Sequence, residues 1–396
     1  MAHITEFTIE GLAGRTEPYS RKLNRDVNVF FGLNGAGKTS LLRILQSAMS
    51  RDGSMLDTVP FERAEVKIYS VDYDKIFAHT IERPHPKHSK AGRGRQTVPS
   101  PEHMPPEMTT GMMFAGETFV YHEEIRWNVT PPLPKDSRGG WSHGWLPTTR
   151  VFFGRLPSWR LTAAQQQLYT ERAVDRLFAE ALSALWSSYS ARLLSQVRKA
   201  QEAGLSNILQ AVLSPPKKSK TKRRLDSTTA YNRIITFLRR QGAEGTLGPL
   251  EVFAAKYAED PQLVSVADHI DRVEQDIEKA SAPRAKLENL IRRMFSGPKE
   301  LQFSDTTIKV LAKDGRDIGL AALSSGEKQV LRIFTELLHV GGSAVLIDEP
   351  EISLHIDWQR ELIKSMQLLS PDSQLVLATH SPEIMADLSD SRIFRL

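Results

Sequence analysis

Apolar residues alternate over 4–9 (ITEFTI) and run unbroken over 27–32 (VNVFFG), the patterns of a half-buried and a buried strand. Residues 38–49 (KTSLLRILQSAM) place their apolar side chains at helical spacing, so the chain opens strand, strand, helix. Further strands are expected at 64–71 and 117–126, with 151–153 as another candidate. Residues 83–112 and 130–147 are rich in Pro, Gly and His, as a functional lid or a disordered stretch would be. His85 and His88 lie there, and two imidazoles without a third ligand favour a solvated loop over a metal site.

From about 161 to 297 the period turns helical. Val266, Ile270, Val273, Ile277, Ala280, Leu287, Ile291 and Met294 mostly keep the alternating 4-3 spacing of a coiled-coil seam. Arg284 falls where that seam would continue, beside Pro283. A proline inside a helix costs about 3 kcal/mol, and Ser281 could cap a restart, so two helices or a kink are expected there. The seam suits a helix packed on its own domain as well as an intermolecular coil. Three segments result: 1–160, a helical insertion over 161–297, and 298–396, where strands and helices return.

Composition narrows the class. Hydrophobic residues make up 40% and charged residues 25% of 396, the balance of a soluble globular chain of two or three units. No run approaches the ~18 apolar residues needed to span a bilayer, and MAHITEFTIEG has neither the basic nor the long apolar region of a secretion signal. Cysteine is absent, which excludes disulfides, Cys-ligated metals and thiol nucleophiles and suits a cytoplasmic location. The net charge of +5 is mild, but residues 214–240 hold Lys217, Lys218, Lys220, Lys222, Arg223, Arg224, Arg233, Arg239 and Arg240 against Asp226 alone. That surplus of eight exceeds the whole chain's. Such a cluster can neutralise phosphates, or be a solvated linker.

The chemistry is concentrated at the two ends. FFGLNGAGKTS contains Gly32-x-x-x-x-Gly37-Lys38-Thr39 directly after a strand and opening a helix. Asn34, Gly35, Ala36 and Ser40 complete the loop. Glycines let such a loop wrap a phosphate so that successive backbone N–H groups point inward. Lys38 can then reach the β- and γ-phosphates, the Thr39 hydroxyl can bind Mg²⁺, and the helix N-terminus adds partial positive charge. GGSAVLIDEPEISLH puts Asp348 and Glu349 at the carboxyl end of an apolar strand, where ligands of parallel sheets bind. Asp348 would hold the metal, and Glu349 would orient or deprotonate a water. Leu323-Ser324-Ser325-Gly326-Glu327-Lys328-Gln329 precedes an amphipathic helix, offering hydroxyls and free N–H groups suited to a γ-phosphate. QLVLATHSPEIM ends a strand at Thr379, His380 and Ser381, and an imidazole there can contact a terminal phosphate and report its loss.

The order of P-loop, LSSGEKQ, strand-Asp-Glu and strand-Thr-His-Ser resembles the ATP-binding-cassette (ABC) ATPases, and among them the SMC, RecF and OLD branch rather than transporters. DEPEISLH is similar to the DEPE-x-x-LH form of OLD-type ATPases; transporters usually carry Asp where His355 stands. The resemblance covers about 260 residues at the two ends. It implies an α/β ABC-type P-loop head with a mixed or parallel sheet, split by a short coiled-coil-like insertion, and two heads sandwiching two ATP molecules. It further implies that Ser325 and Gly326 act in trans, that Asn34 lines the P-loop, that His380 is the switch histidine, and that Ser353 and Leu354 lie in the loop between sites. No glutamine takes the Q-loop role clearly; Gln96 is a poor candidate.

The insertion is far shorter than SMC coiled coils. The chain ends sixteen residues after His380, which leads to the expectation that it carries no nuclease domain of its own, unlike OLD nucleases. It resembles the ATP-binding subunits of two-component bacterial anti-phage systems of the PARIS, Septu and retron-associated types. That implies a homo-oligomeric sensor or scaffold, dependent on ATP and Mg²⁺, that restrains a separate effector nuclease. The alternative is a RecF-like repair ATPase that contacts DNA through Lys217 to Arg224. A transporter subunit is disfavoured by the insertion and by His355.

Overall fold

The computed structural model describes residues 1–83, 126–133, 140–148, 171–213, 225–240, 242–295 and 297–396. The expected strands at 151–153 and over most of 117–126, His85, His88, Gln96 and the lysines and arginines of 217–224 lie outside them.

Two five-stranded sheets carry the ends of the chain. The antiparallel one has the order β2-β1-β4-β5-β6, from β1 (Ala2–Glu10), β2 (Tyr19–Lys22), β4 (Arg63–Ser70), β5 (Lys75–Glu82) and β6 (Asn128–Thr130). The other is parallel throughout, with the order β12-β3-β11-β10-β7. Its strands are β3 (Val27–Phe31), β7 (His143–Leu146), β10 (Ala344–Asp348), β11 (Gln374–Thr379) and β12 (Ile393–Arg395). The expected mixed or parallel sheet is thus a parallel one, with an antiparallel sheet beside it.

The parallel strands are apolar on both faces because both faces are covered. Val345, Ile347, Leu375 and Leu377 join one core, while Ala344, Leu346, Val376 and Ala378, one residue out of phase, join the other. The second core contains α1 (Lys38–Ser50), which packs between the two sheets through Leu41, Leu42, Leu45 and Met49. Gln374 ties the sheets together: its Oε1 accepts from the Ile4 N–H, and its Nε2 donates to the Ile4 and Asn24 carbonyls.

The first core lies under α6 (Ser325–Val340) and α7 (Ile356–Leu369) and runs on into the insertion. There α2 (Glu171–Leu213) packs against α5 (Pro261–Met294), and α3 (Ser227–Arg240) and α4 (Leu250–Glu259) close a separate apolar cluster with the start of α5. Arg284 meets Trp186 and Val273 meets Gly204, so α2 and α5 run antiparallel. The helical seam of 266–294 therefore serves packing within the chain. A hairpin of β8 (Lys299–Phe303) and β9 (Ile308–Ala312) leads back toward α6, and α8 (Pro382–Met385) follows β11. Among the described residues no helix is long and apolar enough to cross a membrane.

Several expectations are corrected. Helix α5 continues through Pro283 as one element. Ser281 does not cap a restart; its hydroxyl donates back to the Ile277 carbonyl at 2.8 Å. Arg284 is not a break in the seam either. It reaches Glu288, Asp305 and the Phe303 carbonyl and lies over the Trp186 ring, so tertiary contacts hold the helix through the proline. The loop reading of 130–147 fails at 143–146, which form the edge strand beside β10. The basic stretch is also less free than its composition implies. Arg233 pairs with Asp271 and Glu278, and Arg240 with Glu274.

Candidate functional site

Between β3 and α1 the chain turns through residues 32–37, and the turn depends on glycine. Gly37 has φ +97°, and a Cβ there would stand 2.9 Å from the Ala13 Cβ, so a side chain would be both strained and blocked. Lys38 is buried and arches back over the loop, its Nζ donating to the Gly32 carbonyl at 2.8 Å and the Leu33 carbonyl at 3.1 Å. Asn34, Gly35, Gly37, Lys38, Thr39 and Ser40 line a cavity of about 660 Å³ together with Ala13, Gly14, Pro60 and Glu349. Gly32 and Ala36 shape the loop without lining it.

Across the cavity β10 delivers its two acids differently. Asp348 is buried, and its Oδ2 accepts from the Thr39 hydroxyl at 2.8 Å and the Thr148 hydroxyl at 2.6 Å. Its Oδ1 is buried without a partner among the described residues. A carboxylate flanked by two hydroxyls, with one oxygen unspent, is a hard-oxygen set of the kind Mg²⁺ takes. Glu349 adopts φ +50°, rare for a side chain of this size, and its N–H donates to the Ala378 carbonyl at 2.8 Å. That turn carries its carboxylate away from the strand and into the cavity wall.

At the end of β11, His380 stands half exposed with Nδ1 3.0 Å from Glu351 Oε1 and 3.8 Å from Glu349 Oε1. The same Glu351 oxygen accepts from the Thr379 hydroxyl at 2.6 Å and the His380 backbone N–H at 2.8 Å. Glu351 is almost fully buried, so one carboxylate oxygen organises the strand end and the imidazole together.

Ser324 caps α6 in a reciprocal box: its Oγ accepts from the Glu327 N–H, and Glu327 Oε2 accepts from the Ser324 N–H at 2.6 Å. Burial opposes ionisation of Glu327, but the Ser324 N–H and the Lys299 ammonium outweigh it and hold its carboxyl below the usual range. Gly326 permits a close approach. A Cβ there would lie 2.5 Å from the Ser353 carbonyl oxygen, so the start of α6 is seated on the loop that follows β10. Ser324, Ser325, Gly326 and Glu327 do not line the P-loop cavity, and neither does His380. The fold thus brings Lys38, Thr39, Asp348 and Glu349 together and keeps the α6 start apart from them. Ser353 has φ +67° and Leu354 is buried, while His355 caps α7.

Sequence reasoning missed Ala13, Gly14, Pro60, Thr148 and Glu351. The turn GLAG and the second acid of DEPE were the available signals for two of these places. Thr148, after Leu-Pro at the end of β7, carries no pattern of its own.

A family model described as "AAA domain, putative AbiEii toxin, Type IV TA system" matches residues 157–386, more than half of the chain. Among curated proteins, the chain is 28% identical over 94 residues to "Retron Vc95 probable ATPase" of Vibrio cholerae serotype O1 biovar El Tor. It is 25% identical over 100 residues to "Retron Ec83 probable ATPase" of Escherichia coli. These alignments cover 20% and 22% of this chain and 18% of each relative's length. Solved structures similar to it include the Smc head domain of Pyrococcus furiosus with an extended coiled coil, bound to the C-terminal domain of ScpA. That chain is 12% identical with a TM-score of 0.40, covering 98% of this chain and 92% of its own. The SMC head domain of Thermotoga maritima is 10% identical with a TM-score of 0.37, covering 97% and 91%.

Proposed function

The chain belongs to this AAA-domain family, and from that premise we propose that it is a cytoplasmic, Mg²⁺-dependent ATPase of the ABC type. In this reading it serves as the sensor or scaffold subunit of a bacterial anti-phage system and restrains a separate effector nuclease. The observation that carries the ATPase is the meeting of Thr39 with Asp348, whose second oxygen is unspent, beside a P-loop cavity that Glu349 completes.

The division of labour follows from that geometry. Lys38 gives up its two loop carbonyls to neutralise the β- and γ-phosphates, whose oxygens accept from the loop N–H groups. Thr39 and Asp348 would hold the magnesium, which when bound spreads the phosphate charge. Glu349 takes a proton from the water that attacks the γ-phosphorus, the bond to the β–γ bridging oxygen breaks, and ADP leaves. His380, held by Glu351, stands behind Glu349 with Nδ1 3.8 Å from its Oε1, and from there it would reach a terminal phosphate bound beside Glu349. Ser325 and Gly326 complete the site of a second copy, since they stand off their own cavity. Residues 1–160 and 298–396 would form the head, and 161–297 the arm.

The effector rests on the likeness to two proteins named as retron ATPases and on the family's description as a putative toxin of a toxin–antitoxin system. Two measurements test the reading. Lys38→Ala should weaken ATP binding by calorimetry, while Glu349→Gln should bind ATP and lose at least about a hundredfold in turnover. Normal turnover in Glu349→Gln would falsify the assignment of the base. For the partner, the tagged protein expressed with its native neighbouring genes should retain a stoichiometric nuclease-like companion. Nucleic acid without a protein companion would replace this reading with a DNA-clamping ATPase.

A further inference from the structure

Helix α2 has two faces, and among the described residues only one is packed against the rest of the chain. Phe178, Leu182, Trp186, Tyr189, Leu193 and Val197 face the core that α2 shares with α5, α6 and the parallel sheet. Yet Leu194, Leu205, Leu209, Val212 and Leu213 are each about half exposed or more, five of the fourteen exposed large hydrophobic side chains among the described residues. At 100° per residue, Leu194, Leu205, Leu209 and Val212 fall within one quadrant, well away from the packed seam.

The face is asymmetric along its length in a way that makes it self-complementary. Its C-terminal half carries Leu205, Leu209 and Val212, while its N-terminal half, apart from Leu194, is small: Ala184, Ser187, Ser188 and Ala191, all exposed. Between the halves sit Arg198 and Glu202, exposed on the same face and paired at 2.8 Å. An antiparallel partner with its two-fold axis near residues 199–200 would bring Leu194 opposite Leu205, Ala191 opposite Leu209, and Ser187 opposite Val212. The same register sets Arg198 opposite Glu202 in both directions. Leu194 and Leu205 meet across the centre, the bulky side chains further out meet small ones, and each arginine gains a second carboxylate. A parallel register would set like charges together and bulky residues against bulky ones.

We propose that the outer face of α2 is an antiparallel homotypic interface, closed by a second copy of this chain through residues 187–212 over about 38 Å of helix. The interface does not require nucleotide and is separate from the head pairing proposed above.

The chain has no cysteine, so introduced cysteines report cleanly. Sedimentation velocity of the full chain without nucleotide should give a dimer or larger assembly. Leu205→Asp and Leu209→Asp, both at exposed positions, should dissociate it while leaving the melting curve and ATP binding unchanged. Arg198→Glu and Glu202→Arg should each weaken association by about tenfold or more, and the double exchange should restore it. A mixture of Leu194→Cys and Leu205→Cys chains should give a mixed disulfide dimer, with little product from either alone. A nucleotide-free monomer at tens of micromolar would overturn the proposal. So would a double charge exchange that fails to rescue, or disulfides formed mainly by Leu205→Cys with itself.

Discussion

At the scale of single residues, the site depends on a carboxylate that does no chemistry. Glu351 Oε1 is the common acceptor for the Thr379 hydroxyl, the His380 N–H and His380 Nδ1, in a side chain almost closed to solvent. Glu351→Ala strands the buried Thr379 hydroxyl and the part-buried His380 N–H at a cost of about 1–3 kcal/mol each, so the domain should lose about 2–6 kcal/mol in denaturant unfolding. Glu351→Gln keeps an acceptor oxygen and should lose less. ATP binding should survive in both while turnover falls, since the P-loop contacts are untouched. An unchanged unfolding midpoint in Glu351→Ala would count against this role. Lys38, Thr39, Asp348 and Glu349 could be read from the sequence because each sits at a fixed spacing on an element whose period is plain. Glu351 could not, because a second acid after proline reads as solvated until the fold buries it. Thr148 was hidden for a different reason: it owes its place beside Asp348 to strand pairing across two hundred residues.

At the scale of elements, local rules fail where tertiary contacts outbid them. The proline penalty in α5 is real, yet Arg284 and the packing against α2 carry the helix through. Strand β7 is too short and too rich in Gly and Trp to announce itself, and it exists because β10 offers an edge. Helix α6 shows the reverse, a strong local signal with a penalty inside it. Its capping box and apolar stripe define it, but it also carries Glu336, which burial pushes up to about 7 while Arg332 pulls the other way. A carboxyl raised from 4.5 binds its proton more tightly folded than unfolded, so stability falls as pH rises from about 4.5 to 7 and levels off above. Glu336→Gln removes that loss. It should raise the unfolding free energy at pH 8 by on the order of 1–3 kcal/mol, read from denaturant unfolding, and leave it unchanged near pH 4. Equal effects at both pH values would show that the gain comes from packing and not from the charge.

At the scale of the whole molecule, the two ends of the chain make one surface while the signature residues face elsewhere. The cavity is walled by the P-loop, the turn at Ala13 and Gly14, Pro60 and Glu349, and the α6 start is seated instead on the Ser353 loop. On the proposed function, a head is therefore half of each of two sites. Chain mixing separates this from a site complete in one copy. Lys38→Ala lacks the phosphate cation, and Ser325→Arg blocks the signature without touching the cavity, so each alone should be inactive. Mixed in equal amounts, half of the dimers pair unlike chains, and one of their two sites joins an intact P-loop to an intact signature. If the sites act independently, turnover should return to about a quarter of the unmodified protein's. Recovery near that level places the signature in trans. No recovery, with both variants still dimeric by sedimentation, places it in cis and removes the ATP sandwich, while the α2 interface would stand on its own measurements.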